Sequence, residues 1–292
     1  MAERPRPVVN ESLCTNCGSC VVACRFEVMV AGDDGPQTTG PGGCLGCGQC
    51  VAVCPTRAIS HPLIDDDSAV ELGAGPPVAP EDLRALLARR RSVRHYEQRP
   101  VPEELLRELI DTAVLAPSGH NAQNWAFSVV TSPDLLLEVR GRLVQSFRRL
   151  LSLAANPLGR IVLRIAGLPS SGPLLRDMAR AVGRIVEAHD RGEDRIFWHA
   201  PALLILHAPS ADPTGGESCH YAAANLMTMA VAKGLGTCLI GFLTATARRD
   251  RRLLRLLQVP DHHGLYVACV VGYPAIRLER SVPRREPQVN II

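Results

Sequence analysis

The sequence predicts an α+β protein with a small cysteine-rich domain followed by a larger domain of helices and strands. Eight of its 11 cysteines fall between Cys14 and Cys54. A proline-, glycine- and aspartate-containing stretch follows, and its composition is typical of a linker. Beyond it, segments of helical and strand periodicity alternate. The predicted boundaries are residues 1–62 for the first domain, 63–80 for the linker and 81–292 for the second domain.

The composition is that of a folded globular chain, with 46% hydrophobic and 21% charged residues. A net charge of +3 is too small to favour nucleic acid or an anionic membrane as a partner. No apolar run is long enough to span a membrane, and the first residues lack the apolar segment of a secretory signal. Many cysteines in an unexported chain favour metal ligation over disulfides, so we expect a cytoplasmic protein.

Periodicity and turn residues predict the elements of the second domain. Helices are expected over 102–116, over 220–233 before Gly234, and from a cap at Thr246 to Leu257. Strands are expected over 125–131, 202–208, 237–243 and 265–272. Residues 143–189 have helical character and contain many arginines, but they carry no motif that indicates a function.

The cysteines form an internal repeat. Two runs share the spacing x2-x2-x3: Cys14, Cys17, Cys20 and Cys24, then Cys44, Cys47, Cys50 and Cys54, which Pro55 follows. Three thiolates at every third position suit one iron–sulfur cube, and in two-cluster ferredoxins the fourth cysteine binds the other cluster. The repeat therefore predicts one 4Fe-4S cluster on Cys14, Cys17, Cys20 and Cys54, and another on Cys44, Cys47, Cys50 and Cys24.

The alternative is a pair of zinc sites. Zinc prefers two pairs of close ligands separated by a longer loop, which is not this spacing. Residues 9–62 resemble a bacterial-type two-cluster ferredoxin, with one departure: Arg25 follows Cys24, where the family usually has proline. Because clusters move single electrons, a second redox group is expected in the rest of the chain.

Three motifs of the second domain suit a phosphate-bearing ligand. Residues 89–94 combine arginines with a serine hydroxyl, which suits a phosphate, although an arginine run alone is more often a solvated surface. Residues 117–125 form a polar loop that is equally typical of an ordinary turn. Residues 234–241 form a glycine-rich helix exit, which by itself indicates only a helix–strand connection.

In this order, and with Val271-Gly272-Tyr273-Pro274 after them, the motifs resemble the FMN-dependent nitroreductases over about residues 83–289. The resemblance implies a central, mostly antiparallel sheet flanked by helices, and a homodimer with FMN at its interface. It implies that Arg90 and Ser92 hold the phosphate and ribityl chain, and that Arg94 lies near flavin N1 and O2. Ser118, Asn121 and Gln123 would reach the flavin from the second subunit, and the Ile240-Gly241 backbone would face N5. The other implied cofactor contacts are Arg91, Pro117, and the pair Arg284 and Arg285 at the phosphate.

The remaining candidates have plainer interpretations. Cys219, Cys238 and Cys269 lie on apolar segments and are expected to be buried thiols. Trp198 and His199 are expected either to pack or to line the pocket. No residue is identified as a general acid or base.

The expected function is an FMN-dependent oxidoreductase that receives electrons through two 4Fe-4S clusters and reduces a small nitro-, quinone- or enone-like acceptor. A ferredoxin-like protein or NAD(P)H would be the donor. One alternative is an electron carrier or redox sensor that serves a protein partner. Another is a flavin-modifying or reductively dehalogenating enzyme, since one scaffold can host several chemistries.

Overall fold

The computed structural model describes residues 4–73, 75 and 77–292. These divide into two compact units: the first extends to Pro77 and includes His120–Ala122, and the second comprises Val78–Gly119 and Gln123–Ile292. None of the helices in the described ranges has the length and apolar character needed to cross a membrane.

The first unit consists of short elements. They are β1 (Val8–Val9), α1 (Ser19–Ala23), β2 (Val30–Gly32), β3 (Gly35–Gln37), α2 (Gln49–Ala52) and β4 (Ile59–Ser60). β1 pairs with β4, and β2 pairs with β3, both antiparallel. Each helix follows a glycine in the left-handed conformation, Gly18 (φ 73°) before α1 and Gly48 (φ 74°) before α2. The sequence repeat is therefore also a structural repeat, in which each cysteine run turns into a short helix.

The core of the second unit is a four-stranded antiparallel sheet with the order β5-β6-β8-β7. Its strands are β5 (Ala126–Val130), β6 (Ala202–Pro209), β7 (Gly236–Leu239) and β8 (His263–Gly272). In β6 the successive residues from Ala202 to Ala208 are all buried. Side chains alternate across a strand, so Leu203 and Ile205 belong to one hydrophobic core while Leu204 and Leu206 belong to another. Both faces of the sheet are therefore covered.

Helices cover the two faces. They are α3 (Pro80–Arg89), α4 (Glu103–Ala113), α5 (Pro133–Ala155), α6 (Pro157–Ile165), α7 (Gly172–Asp190), α8 (Gly215–Ala232), α9 (Gly241–Ala247) and α10 (Arg251–Leu256). Buried residues of α4 and α8 share one core, and those of α5, α7, α9 and α10 share the other. The predicted α+β class with an antiparallel sheet flanked by helices is confirmed.

Two predicted boundaries near the end of β7 are wrong. The strand expected over 237–243 stops at Leu239, and α9 begins at Gly241 after the backbone turns at Ile240 (φ −107°, ψ 75°). Thr246 lies inside α9 and does not cap the next helix. Asp250 caps it, since its carboxylate accepts the N–H groups of Arg252 and Leu253 at 3.0 and 3.1 Å. The run from Cys238 to Leu243 is apolar throughout, so its hydropathy does not show where the backbone changes direction.

Candidate functional site

The eight cysteines of the repeat surround two cavities in the first unit. Cys14, Cys17, Cys20 and Cys54 line one cavity, whereas Cys24, Cys44, Cys47 and Cys50 line the other. The fourth cysteine of each run thus lies with the first three cysteines of the other run. These are the two crossed groups on which the cluster assignment depends.

Burial and mutual proximity disfavour the charged form of the inner thiols. Burial, together with smaller contributions from the neighbouring Cys24, Cys47 and Cys44, raises the pKa of Cys50 to about 11. Burial also raises the pKa of Cys20, with smaller contributions from Cys14 and Cys54. A thiolate must form before it can bind iron, so iron binding at these groups releases protons.

Backbone N–H groups point at the cysteine sulfurs in matching positions of the two halves. Asn16 donates to Cys14 Sγ at 3.4 Å, and Gly46 donates to Cys44 Sγ at 3.3 Å. The fourth cysteines are matched too, since Met29 donates to Cys24 Sγ at 3.5 Å and Ala58 to Cys54 Sγ at 3.2 Å. Such bonds stabilise thiolates and are characteristic of iron–sulfur sites.

The donor set fits cubane clusters better than single metal ions. Over residues 4–73 and 77–292, no three His, Cys, Asp or Glu side chains converge closely enough to hold one metal ion. That convergence is what the zinc alternative requires. Four sulfurs around a cavity, with N–H donors behind them, match the needs of a 4Fe-4S cluster.

The arginine motif of the second unit lies beside β7. Ser92 forms a parallel bridge with Thr237, and the Val93 N–H donates to the Thr237 carbonyl at 2.9 Å. Burial raises the pKa of the Cys238 thiol on the same strand, and the nearby Arg94 and Ser92 oppose that rise. This contact of Cys238 was not expected, and only its position in β7 could have indicated it.

The guanidinium groups at this place are not paired with carboxylates. Among the described residues, none forms a salt bridge with Arg90, Arg91 or Arg94. Arg94 lies over the Trp198 ring, 5.4 Å from the centroid, so Trp198 packs beside the motif. Arg90 and Arg91 are half-buried and Arg94 is exposed. Arginines without a counter-ion suit a phosphate. At Gly241 an added Cβ would meet nothing within 4 Å, so its backbone faces open space that a flat ring could occupy.

The polar loop is held by internal hydrogen bonds. Ser118 Oγ accepts the Gln123 N–H at 3.0 Å, and both residues belong to the second unit. His120, Asn121 and Gln123 have φ angles of 52°, 51° and 46°. Three non-glycine residues in this sparsely populated region indicate a loop whose shape is fixed by its surroundings.

The other predicted flavin contacts are more scattered. Asn121 groups with the first unit, where its amide donates to the Gly46 carbonyl at 2.8 Å. Pro117 is exposed and follows the turn after α4. Arg284 and Arg285 lie exposed in a C-terminal segment without regular structure, and the structure does not bring them to the Arg90 motif by any hydrogen bond or salt bridge among the described residues.

A buried histidine on β6 gives the second unit a pH-dependent stability. His207 is 3% exposed, its Nδ1 lies 2.8 Å from Nδ1 of His263, and its Nε2 lies 3.4 Å from Ser128 Oγ. Burial, and then the nearby His263, lower the pKa of His207 to about 4. The unfolded chain therefore binds a proton more readily, so this stabilisation is complete above about pH 6.5 and is lost towards pH 4.

We expect His207→Gln to reduce the dependence of the melting temperature on pH between pH 6.5 and 4. The melting temperature of the wild type should fall more steeply than that of the variant between pH 6.5 and 4. His220→Gln, an exposed histidine on α8, is the matched control and should keep the wild-type slope. Equal slopes for wild type and His207→Gln would contradict the prediction.

Comparison with known proteins identifies two families in this chain. The model of the nitroreductase family matches residues 87–273, which is more than half of the chain. A model described as a 4Fe-4S dicluster domain matches residues 13–59.

Relatives and solved structures agree with the first match. A 4-nitrobenzoate reductase of Pseudomonas putida is 34% identical over 218 residues, which cover 66% of this chain and 86% of the relative. Human iodotyrosine deiodinase 1 is 40% identical over 224 residues, which cover 73% of this chain and 68% of the relative. A nitroreductase with bound FMN from Bacteroides fragilis has a TM-score of 0.54 and 24% identity over 72% of this chain and 98% of its own, which shows the shared fold.

Proposed function

Because this chain belongs to the nitroreductase family and matches a 4Fe-4S dicluster domain at its N-terminus, we propose that it is an FMN-dependent oxidoreductase fed by two 4Fe-4S clusters. Its product is a reduced small organic molecule. The observation that carries the proposal is that one chain contains ligands for both cofactors. Eight cysteines form two crossed groups, and three arginines for which the described residues provide no carboxylate partner lie around Ser92.

The cysteines hold the clusters in the crossed pattern. Cys14, Cys17, Cys20 and Cys54 bind one cluster, and Cys24, Cys44, Cys47 and Cys50 bind the other. When bound, such clusters supply single electrons at a potential that depends on the hydrogen bonds to sulfur. The chain's part is to orient the thiolates, and backbone N–H groups do this for four of the eight, those of Cys14, Cys24, Cys44 and Cys54.

The second unit holds FMN through the arginine motif. Arg90, Arg91 and Ser92 bind the phosphate and ribityl chain, and Arg94 places a positive charge near N1 and O2. The other contacts are Ile240 and Gly241 near N5, Arg284 and Arg285 at the phosphate, and Pro117, Ser118, Asn121 and Gln123 from the partner subunit of a homodimer. When bound, FMN supplies two-electron chemistry, which single-electron clusters lack.

The acceptor is a small nitro-, quinone- or enone-like molecule. Two relatives support a small aromatic substrate by their names, one a 4-nitrobenzoate reductase and the other an iodotyrosine deiodinase. A reduced ferredoxin-like protein is the donor that the fused module favours, with NAD(P)H as the other candidate. We propose a cytoplasmic location, because cysteine thiols stay reduced there and remain available as cluster ligands.

Anaerobic purification followed by metal and flavin analysis tests both cofactors together. We expect about eight irons, a similar amount of acid-labile sulfide and about one FMN per chain. Zinc in place of iron would contradict the cluster assignment, and iron without FMN would contradict the oxidoreductase assignment. The chain with all eight cysteines replaced by alanine should lose the iron and keep the FMN, because the cysteines and the Arg90–Arg94 motif lie in different units.

A further inference from the structure

The second unit contains a cavity of about 920 Å³ that none of the proposed flavin contacts lines. It lies among α5, α7, α9 and α10. Its apolar wall includes Phe147, Leu150, Met178, Val182 and Phe242. The rings of Phe147 and Phe242 pack edge to face with centroids 5.5 Å apart, and Phe242 remains 41% exposed. An exposed aromatic ring at the wall of a cavity is a surface that a flat apolar group can cover.

Arginines surround the same cavity. They are Arg142, Arg149, Arg249, Arg251, Arg252 and Arg255. The cavity is lined by one carboxylate, Asp250, and Arg142 already binds it through two hydrogen bonds of 2.8 Å. Arg249 donates to the Ala166 carbonyl at 2.8 Å. For Arg149, Arg251, Arg252 and Arg255, the described residues provide no hydrogen-bond or salt-bridge partner for the side chain.

We propose that this cavity binds a small organic anion, with a carboxylate or a phosphate on a flat, apolar body. Like charges around one cavity repel each other, and an anion relieves that repulsion. Guanidinium forks bind carboxylate and phosphate with two parallel hydrogen bonds. The cavity is concave, and its volume is in the range of small-molecule sites. A protein partner would need a flatter and larger surface. This inference does not depend on FMN or on the clusters.

Isothermal titration calorimetry of the purified, FMN-loaded protein tests the proposal. The probes are 2-naphthoate, 2-naphthyl phosphate, uncharged 2-naphthamide and inorganic phosphate. We expect at least one of the two naphthyl anions to bind about tenfold or more tightly than the amide and than inorganic phosphate. Which of the two anions binds more tightly identifies the preferred group.

The double variant Arg251→Gln with Arg255→Gln should weaken binding of the preferred anion by about tenfold or more. Arg184→Gln, an exposed arginine on α7 that does not line the cavity, should bind like the wild type. Melting temperatures show that the variants are folded. Equal affinity for anion and amide, no loss in the double variant, or an equal loss in Arg184→Gln would each overturn the proposal.

A second, independent observation concerns a buried histidine at one cysteine group. His61 is 5% exposed and lines the cavity of Cys24, Cys44, Cys47 and Cys50. Its Nδ1 accepts the N–H of Leu63 at 3.1 Å, so Nδ1 carries no proton and the ring proton is on Nε2. Nε2 lies 3.1 Å from the Pro5 carbonyl and 3.5 Å from Cys44 Sγ. The Nε2–H is therefore shared between the Pro5 carbonyl, which is the nearer acceptor, and the sulfur of Cys44.

The other cysteine group has different side-chain contacts: the Ser19 hydroxyl lies 3.5 Å from Cys17 Sγ, and the Thr56 hydroxyl lies 3.8 Å from Cys54 Sγ. Cys44 Sγ and Cys14 Sγ each accept the backbone N–H of the residue two positions later. The side chain beside Cys14 is that of Asn16, whose amide oxygen lies 3.4 Å from Sγ. The structure assigns to His61 the role of a positioning residue that raises the reduction potential of its own cluster. An N–H aimed at a ligand sulfur stabilises the additional negative charge of the reduced cluster. This inference rests on the proposed cluster assignment.

Redox titration followed by electron paramagnetic resonance tests the role of His61. We expect His61→Ala to lower the potential of one cluster and leave the other unchanged. In His61→Gln, which keeps an N–H donor, the potential of that cluster should fall less than in His61→Ala. Iron analysis comes first: a protein without iron would contradict the proposed function itself. Two assembled clusters whose potentials do not move, or move equally, would overturn only the role of His61.

Discussion

Replacing Cys54 with alanine will remove the cluster of the first cysteine run and leave the cluster of its own run. Cys54 lines the cavity of Cys14, Cys17 and Cys20, and it does not line that of Cys44, Cys47 and Cys50. A 4Fe-4S cluster that loses one of its four ligands is destabilised, so we expect the iron content to fall by about half. Iron analysis and the resonance spectrum of the reduced protein measure the loss.

Combining substitutions shows which cluster is lost. Cys54→Ala with Cys14→Ala should cost no more iron than either change alone, because both residues serve one cluster. Cys54→Ala with Cys44→Ala should remove nearly all the iron. Cys219→Ala, a buried thiol of the second unit, is the control and should keep both clusters. The opposite pattern, with Cys54 and Cys44 acting as one group, would contradict the crossed assignment.

Replacing Arg90 with alanine will weaken FMN binding by about 10- to 100-fold. Arg90 is half-buried, has no described carboxylate partner, and lies close enough to Cys238 and Cys269 to affect their pKa values. A charge-assisted hydrogen bond to phosphate is worth about 1.5–3 kcal/mol, which gives this range. Titrating the flavin-free protein with FMN and following the quenching of flavin fluorescence measures the affinity.

The matched control for Arg90 is Arg84→Ala. Arg84 is an exposed arginine on α3, outside the motif, and its replacement should leave the FMN affinity unchanged. A second comparison separates charge from size, because riboflavin lacks the phosphate. Riboflavin affinity should differ little between the wild type and Arg90→Ala. Unchanged FMN affinity in Arg90→Ala, or an equal loss for riboflavin, would contradict a phosphate-binding role.

The features that the sequence predicted well are those in which local spacing decides the outcome. The structure groups the fourth cysteine of each run with the first three of the other run, as the comparison with two-cluster ferredoxins suggested. That these groups bind clusters in this way stays a prediction. Alternating or continuous apolar runs predicted β6 and β8 within a few residues. Family resemblance indicated the Arg90–Arg94 motif, and the structure places it beside β7 through the Ser92–Thr237 bridge.

The features that could not be predicted depend on contacts between distant segments. The turn at Ile240 lies inside an apolar run, so neither hydropathy nor propensity marks the change from β7 to α9. His61 approaches Cys44 because β4 pairs with β1, which lies some fifty residues earlier in the chain. The anion cavity combines arginines of α5 and α10 that are about one hundred residues apart, and no motif joins them.

The central claim is that electrons reach FMN through the two clusters of the same chain. Anaerobic stopped-flow mixing with a reduced ferredoxin, followed at the flavin absorbance, tests it most directly. The wild type should be reduced rapidly, whereas the variant with all eight cysteines replaced by alanine, loaded with the same amount of FMN, should be reduced no faster than free FMN. A variant reduced as fast as the wild type would contradict the claim.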